Sequence, residues 1–202
     1  MRHFARELQD DGFEVAYRQA ESFEAGIQAH LTEYGPVLIE VMAPNDFGVE
    51  RALRKAADQH GGTLKVLPND LWITSNEEFD SWAEGRKTLR LEHFYRQVRR
   101  ARGWLMDDGQ PAGGRWNFDA DNRRTPESDH PFPGAVRFPP DDITRQVMKE
   151  VEARWPSHFG SIDDFGWPVT REQALEALDD FNHTRLATFG PFEDAMVERE
   201  AV

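Results

Sequence analysis

Cysteine is absent from the 202 residues of this chain. Its absence excludes disulfide bonds, a thiolate nucleophile, and zinc or iron–sulfur groups held by cysteine ligands of this chain. Long apolar runs are absent too, because no stretch approaches the roughly 18 consecutive apolar residues of a membrane-spanning helix. The opening residues also lack the apolar core of a secretory signal. We therefore expect a cytoplasmic protein that does not enter a membrane.

Recognisable catalytic motifs are equally scarce. The seven histidines include no pair at the spacing HxxxH or HxH, which argues against a metal site. No serine lies in a GxSxG sequence, and the paired glycines Gly113 and Gly114 are not followed by the Lys-Ser/Thr of a phosphate-binding loop. The sequence therefore predicts no catalytic residue and no metal ligand.

Composition indicates a folded protein with an excess of acid. Hydrophobic residues make up 39% of the chain and charged residues 30%, which is typical of a soluble globular protein with one good-sized core. The formal net charge is −13. Any binding to a polyanion therefore has to depend on a local cluster of basic residues.

The first part of the chain alternates between helical and strand patterns. Helices are predicted at 2–9, 23–34 and 46–60, and strands at 13–17, 37–42 and 63–67. Asn45 or Asp46 is expected to cap the third helix. Strands that are separated by helices pair in parallel, so the predicted fold class is α/β with a partial doubly wound parallel sheet.

The second part reads as a linker followed by helices. Residues 129–140 contain four prolines and are predicted to form an extended linker. A helix is predicted at 142–154, and Thr170 with Gln173 forms a capping pattern that opens another. The expected core positions of that last helix are Ala174, Leu175, Leu178, Phe181 and Leu186.

Basic residues are concentrated between positions 86 and 102, where seven of them accompany the single acid Glu92. A helix over 88–105 would place Leu91, Phe94, Tyr95, Val98 and Leu105 on one apolar stripe. Arg96, Arg99 and Arg100 would then be exposed on the opposite side. An ordinary solvated helix face is one interpretation. Binding to a polyanion is the other, because charges of one sign repel each other unless a partner neutralises them.

The loop after this helix combines arginines with aromatic side chains. Trp116 and Phe118 lie between Arg115 and the pair Arg123 and Arg124, which is a combination suited to nucleobases and phosphates. The alternative is that one of the aromatic rings only plugs the loop onto the protein body. For Asn117, holding the shape of the loop is the favoured role.

Four sequence runs together resemble one known family. They are GRKTLRLEHFYRQVRR, GQPAGGRWNFDADNRR, FGWPVTREQALEALDDF and FGPFEDAM, in this order. The chain resembles the DNA photolyase-related family, in particular the iron–sulfur bacterial cryptochromes and (6-4) photolyases. The resemblance begins at Met1 and covers nearly the whole chain.

The resemblance implies a light-dependent DNA repair flavoprotein that acts on UV-induced pyrimidine dimers, of the (6-4) type. Its implied cofactors are FAD, a 4Fe-4S cluster and a ribityl-lumazine antenna chromophore. In the family, the flavin and the cluster belong to a C-terminal helical domain, and much of the antenna pocket lies in an opening strand. The resemblance therefore implies an N-terminal segment truncated at both ends, inactive alone and with no cofactor of its own.

The same resemblance suggests how the chain is divided. Residues 1–85 would form a Rossmann-like antenna domain without its first strands, and residues 86–110 a basic connecting helix. Residues 111–141 would form an interdomain loop and proline-rich linker, and residues 142–202 helices that lead into the absent all-helical flavin domain. The expected partners are UV-damaged DNA and that flavin domain.

The loop that ends at Arg124 would lie near the DNA lesion. The predicted DNA-binding residues are Arg123 in the first place, supported by Arg115, Lys87, Arg124 and Trp116. Two further hypotheses stay open. One is a cryptochrome-like blue-light photoreceptor of the same family, and the other is a free-standing nucleotide- or protein-binding module.

Overall fold

The computed structural model describes residues 1–127, 130 and 132–195. This part of the chain has a mixed α/β architecture with eight α-helices, a parallel pair of strands and a short hairpin. The helices are α1 (Arg2–Asp10), α2 (Phe23–Tyr34), α3 (Phe47–Gln59), α4 (Asn76–Ala83), α5 (Leu91–Arg102), α6 (Asp142–Arg154), α7 (Arg171–Thr184) and α8 (Leu186–Phe192). The strands are β1 (Leu38–Met42), β2 (Thr63–Leu67), β3 (Met106–Asp107) and β4 (Gln110–Pro111).

Contacts divide the chain into two compact units. One comprises Met1–Tyr17 together with the described residues from Asn117 onward, and the other comprises Arg18–Trp116. Nothing in the local sequence predicts that the first 17 residues associate with the C-terminal half of the chain. The two units are described separately below.

The parallel strand pair forms the centre of the unit Arg18–Trp116. β1 and β2 pair from Leu38 opposite Thr63 to Met42 opposite Leu67, and α3 forms the crossover between them. The small core contains the buried side chains of Leu31, Ala56, Ala57 and Leu64. α3 begins where the Asp46 carboxylate accepts the backbone N–H groups of Gly48 and Val49. The predicted helix cap and both of these predicted strands are therefore confirmed.

The prediction of a strand at 13–17 is wrong. These residues have no regular structure, and the Phe13 side chain is 63% exposed. Alternating apolar residues indicate that one face of an extended segment is more apolar than the other. A strand also needs a neighbouring strand for its backbone hydrogen bonds. Among the described residues no strand pairs with 13–17, so the parallel sheet has two strands where three were expected.

An aromatic cluster connects α4 and α5 in the same unit. Phe79, Trp82 and Phe94 lie with ring centroids 5.1–5.5 Å apart, and Trp82 and Phe94 are buried. α4 begins with a complete capping box between Ser75 and Glu78. Through this cluster α4 and α5 pack against each other.

In the other unit, α1 packs beside α6. The Arg2 guanidinium donates to the Glu150 carboxylate at 3.0 Å, and the His3 Nε2 atom lies 2.8 Å from an Asp141 carboxylate oxygen. The hydrogen bonds that Arg2 makes with Glu150 and then Tyr17 raise the pKa of its guanidinium above the ordinary value. α6 coincides with the helix predicted at 142–154.

The core predicted for the last helix, which the structure divides into α7 and α8, is largely wrong. Leu175, Leu178 and Leu186 are each more than half exposed, and Ala174 is exposed as well. Phe181 is partly buried and packs edge to face on Phe189 at 5.5 Å. Helical periodicity specifies which side chains share a face, whereas burial depends on whether another segment covers that face.

Two remaining expectations concern the linker and the membrane. Asp129 and Pro131 of the predicted linker lie outside the described residues, whereas Phe138 is buried and its N–H donates to the Gly166 carbonyl. Within the described part of the chain, none of the helices combines the length and the apolarity that a membrane crossing requires.

Asp141 provides a test of how α6 is held. Its carboxylate accepts the Thr144 N–H at 2.8 Å, and hydrogen bonds from Thr144 and then His3 lower the pKa of this carboxyl. We expect Asp141→Ala to lower the free energy of unfolding at pH 7 by about 1 kcal/mol, the usual effect of losing a helix cap. Urea unfolding measures the change.

The pH dependence has a defined sign. Because the folded-state pKa is lowered, the contribution of Asp141 is present above the ordinary carboxyl pKa and is lost as pH falls toward the folded value. The stability difference between wild type and Asp141→Ala should therefore shrink below about pH 4. Asp142→Ala is the control, because this side chain is 98% exposed and its surface ion pair with Arg145 should contribute little to stability. Equal stability of Asp141→Ala and wild type at pH 7 would contradict the prediction.

Candidate nucleic-acid interface

Helix α5 is shorter than the helix predicted over 88–105. It begins at Leu91 and ends at Arg102, because Gly103 adopts a left-handed backbone with φ 69°. Leu105 lies beyond the helix and is 68% exposed. Of the predicted apolar stripe, Phe94 is buried and Val98 partly buried, whereas Leu91 and Tyr95 are exposed. The stripe is therefore confirmed only at its centre.

Four of the seven basic residues around α5 fall into two groups. Arg96 and Arg102 have acidic partners, with Arg96 Nε 3.1 Å from Glu92 and Arg102 Nη2 3.0 Å from Glu78. Lys87 and Arg90 are exposed, and no hydrogen bond or ion pair joins their side chains to another described residue. The second group is available to an external anion.

Arg99 was expected to be exposed, and that prediction is wrong. Its side chain is buried, with only 6% of its surface exposed. The guanidinium donates from Nε to the Trp104 carbonyl at 3.2 Å, from Nη2 to the Leu105 carbonyl, and from Nη1 to the Tyr95 hydroxyl at 3.2 Å. These bonds satisfy a buried charge that would otherwise be very costly. The chain that covers Arg99 comes from the residues after the helix.

Trp116 is held by arginines of α5. Its ring lies 4.6 Å from the Arg100 guanidinium carbon, 5.2 Å from that of Arg99 and 5.5 Å from that of Arg96. The ring is partly buried, as a plug between loop and helix would be. Arg115 directly precedes Trp116 and its side chain is exposed. Because the two residues are adjacent, the anchoring of Trp116 determines where the Arg115 backbone lies.

Arg123 and Arg124 belong to the other unit. The Arg123 side chain is 72% exposed, and its Nε lies 3.4 Å from an Asp194 carboxylate oxygen. Backbone bonds from Arg124 N–H to the Pro191 carbonyl and from Asp194 N–H to the Asn122 carbonyl hold this segment beside the end of α8. Both arginine side chains are exposed.

The Asn117 amide supports its own turn. Its oxygen accepts the Asp119 N–H at 2.8 Å, and its nitrogen donates to the Asp119 carboxylate at 2.7 Å. The favoured structural role of Asn117 is therefore consistent with its geometry. Phe118 remains 45% exposed.

The predicted site residues are thus distributed over both units. Lys87, Arg115 and Trp116 belong to the unit Arg18–Trp116, and Arg123 and Arg124 belong to the other. Within the described ranges, no group of histidine and acidic side chains is arranged to hold a metal ion.

A cavity of about 880 Å³ lies at the carboxyl ends of β1 and β2. Open α/β sheets commonly bind ligands at this edge. Two of the lining amides are engaged internally: Asn69 donates to the Ala43 carbonyl and to the Asn45 side chain, and the same Asn45 oxygen accepts the Trp72 indole N–H at 2.7 Å. These groups fix the loops around the cavity.

Sequence reasoning missed this amide network, although a signal was present. Each of the two strands is followed by the tripeptide Pro-Asn-Asp, at residues 44–46 and 68–70. The carboxyl ends of parallel neighbours meet at one edge, so the two asparagines are brought together by the pairing itself. The repeated tripeptide could have indicated paired turns.

Together, these features define an α/β protein with Rossmann-like parallel strand pairing, followed by a helix rich in arginine. The chain belongs to the deoxyribodipyrimidine photo-lyase-related protein family, whose model matches residues 1–167. The family expected from the sequence motifs is therefore confirmed.

Two curated proteins are similar to this chain. A (6-4) photolyase of Agrobacterium fabrum is 38% identical over 204 aligned residues, which cover 98% of this chain and 40% of the photolyase. An uncharacterized protein of Acanthamoeba polyphaga mimivirus is 22% identical over 130 residues, or 62% of this chain and 66% of that protein. The chain thus spans well under half the length of the photolyase that it matches.

Asn69 tests the paired turns at the sheet edge. Its side chain makes two donated bonds and accepts the Leu71 N–H at 2.9 Å. We expect Asn69→Ala to lower the free energy of unfolding by about 1–3 kcal/mol, because the Ala43 carbonyl and the Asn45 amide lose partners. Urea unfolding, monitored by tryptophan fluorescence, measures this change in the free energy of unfolding. Asn76→Ala, another amide at the cavity, is the control, and an equally small effect of both variants would contradict the network's role.

Proposed function

We propose that this chain supplies the N-terminal part of a light-dependent DNA repair flavoprotein of the (6-4) photolyase type, and that its own task there is to contact damaged DNA. The observation that carries the proposal is the match along nearly the whole chain to a (6-4) photolyase. The exposed basic groups of both units are consistent with that task. The protein would act in the cytoplasm.

In the unit Arg18–Trp116, the proposed contacts are Lys87 and Arg115, with Trp116 supporting the loop. The Lys87 ammonium is exposed and has no acidic partner among the described side chains. Phosphate is the natural partner of such a cation, because neutralising it releases counterions from DNA. With a net charge of −13, long-range attraction is absent and binding has to be local.

In the other unit, the proposed contacts are Arg123 and Arg124. The pair between Arg123 and Asp194 is exposed and long, and pairs of that kind contribute little to stability. A phosphate oxygen can therefore replace the Asp194 carboxylate at small cost. Arg124 presents an exposed side chain beside it, from a backbone that is fixed at Pro191.

The family's cofactors enter this proposal only through the longer protein. The residues present do not fit an iron–sulfur cluster, because the chain contains no cysteine. When bound in the longer protein, FAD supplies the light-driven electron transfer. The residues named here would hold the DNA, and we assign them no part in the electron transfer or in binding the ribityl-lumazine.

Salt dependence tests DNA contact by the unit Arg18–Trp116. If roughly three phosphates are neutralised, log affinity should fall with log salt concentration at a slope of about −2 to −3. Lys87→Ala should reduce the magnitude of that slope by about 1, because one phosphate contact is lost. Fluorescence anisotropy with a labelled duplex carrying one (6-4) photoproduct measures the slope.

The matched control for this experiment is Lys55→Ala, which removes the same charge from an exposed position on α3. Its slope should equal that of wild type. The proposed role of Lys87 is wrong if both variants lower the slope equally, since the effect would then come from net charge alone.

Arg123 tests the contact proposed for the other unit. Replacing Arg123 with alanine should weaken binding to the lesion-bearing duplex by about 1–3 kcal/mol, the range for one good side-chain contact. Arg171→Ala removes an equal charge from the exposed first turn of α7 and should leave the affinity near that of wild type. An affinity of Arg123→Ala equal to that of Arg171→Ala would remove Arg123 from the proposed DNA contacts.

A further inference from the structure

The buried guanidinium of Arg99 lies where the two ends of a loop meet. The loop starts at Trp104, directly after the Gly103 that ends α5, and returns to the helix at Trp116. Arg99 donates to the carbonyls of Trp104 and Leu105 at the start, and its guanidinium faces the Trp116 ring at the end. One side chain therefore contacts both ends of the loop.

Between those ends the chain forms a tight hairpin. β3 and β4 pair as Met106 with Pro111 and Asp107 with Gln110, and Asp108 and Gly109 form the turn with φ angles of 47° and 77°. Positive φ at both central positions is the geometry that suits a two-residue hairpin. The hairpin has only these two residue pairs, and a two-stranded hairpin alone is marginally stable in water.

The second residue of the loop, Leu105, also has an unfavourable backbone. Leu105 has φ 51°, in the left-handed region that non-glycine residues seldom adopt. Its carbonyl accepts both the Ala112 N–H at 2.8 Å and the Arg99 guanidinium. Such strain persists only where surrounding contacts determine the conformation, and Arg99 supplies two of those contacts.

We propose that Arg99 is a positioning residue that fixes the loop from Trp104 to Trp116 on α5 and thereby sets the place from which Arg115 reaches DNA. Its planar guanidinium can bond carbonyls along one edge while it stacks on an indole. Arg100 and Arg96 also face the Trp116 ring, but no hydrogen bond joins either side chain to the loop. Arg99 is thus distinguished from its neighbours by its bonds to the loop backbone.

Hydrogen exchange in the full 202-residue chain tests this role. Arg99→Lys keeps the positive charge but cannot reproduce the several bonds and the stacking at once. We expect deuterium uptake in peptides covering residues 104–116 to become about tenfold faster, because the hairpin opens more often when about two hydrogen bonds are lost. Arg100→Lys is the matched control, and uptake in these peptides should stay within about twofold of wild type.

The positioning role is overturned if Arg99→Lys leaves the uptake of residues 104–116 unchanged, or if Arg100→Lys raises it as much. If Arg99→Lys fails to fold, Tyr95→Phe replaces it, because this change removes only the hydroxyl that accepts from Arg99. Tyr95→Phe should raise uptake in the same peptides by a smaller factor, and unchanged uptake would count against the role.

The consequence for DNA rests on the proposed function and has a separate readout. Arg99→Lys should weaken binding to the lesion-bearing duplex to about the same degree as Arg115→Ala, and the double variant should be no weaker than Arg115→Ala. If wild type does not bind the duplex while the exchange result holds, the proposed function fails and the positioning role stands. If wild type binds and Arg99→Lys loosens the loop without a change in affinity, the link between Arg99 and DNA is overturned.

Discussion

The helix boundaries of this protein depend largely on one recurrent hydrogen bond, in which a side-chain oxygen accepts a backbone N–H of the first turn. Among the described helices, α2, α3, α4, α6 and α7 begin in this way, at Ser22, Asp46, Ser75, Asp141 and Thr170. The bond is local, so the sequence displays it. α5 has no such cap, and its predicted start at 88 precedes the observed start at Leu91. For α2, α3, α6 and α7 the predicted and observed starts agree closely, whereas α4 was not predicted although Ser75 caps it.

Local signals also explain why the parallel pair could be predicted. The runs that form β1 and β2 are short and apolar, and the helix between them has two buried alanines that allow it to approach the sheet. The prediction at 13–17 used another local signal, the alternation of apolar residues, and was wrong because a strand is completed by a partner that its own sequence does not specify. Whether another segment covers α7 also depends on residues distant in sequence. The core predicted for this helix was largely wrong for that reason.

The sequence predicted which residues make up the candidate site. It did not predict which of them hold the loop in place and which are exposed. The sequence identified the arginine-rich helix and the loop with Trp116, and it left open whether that ring plugs the loop or meets bases. The structure adds that Arg99 turns inward, because Trp116 returns to the helix and supplies a ring under which a guanidinium can be buried. Helical periodicity places Arg99 on a polar face and contains no information about a segment that begins only after the helix ends.

The two strand pairs differ in how much chain lies between the partners. β1 and β2 are joined through α3, so Leu38 meets Thr63 only after an entire helix has found its place. β3 and β4 are joined by two residues. Closing a short loop is fast and entropically cheap, whereas pairs distant in sequence form slowly. We therefore expect the hairpin after α5 to sample its folded shape many times before the parallel ladder closes, and the ladder to set the overall rate at which the unit Arg18–Trp116 folds.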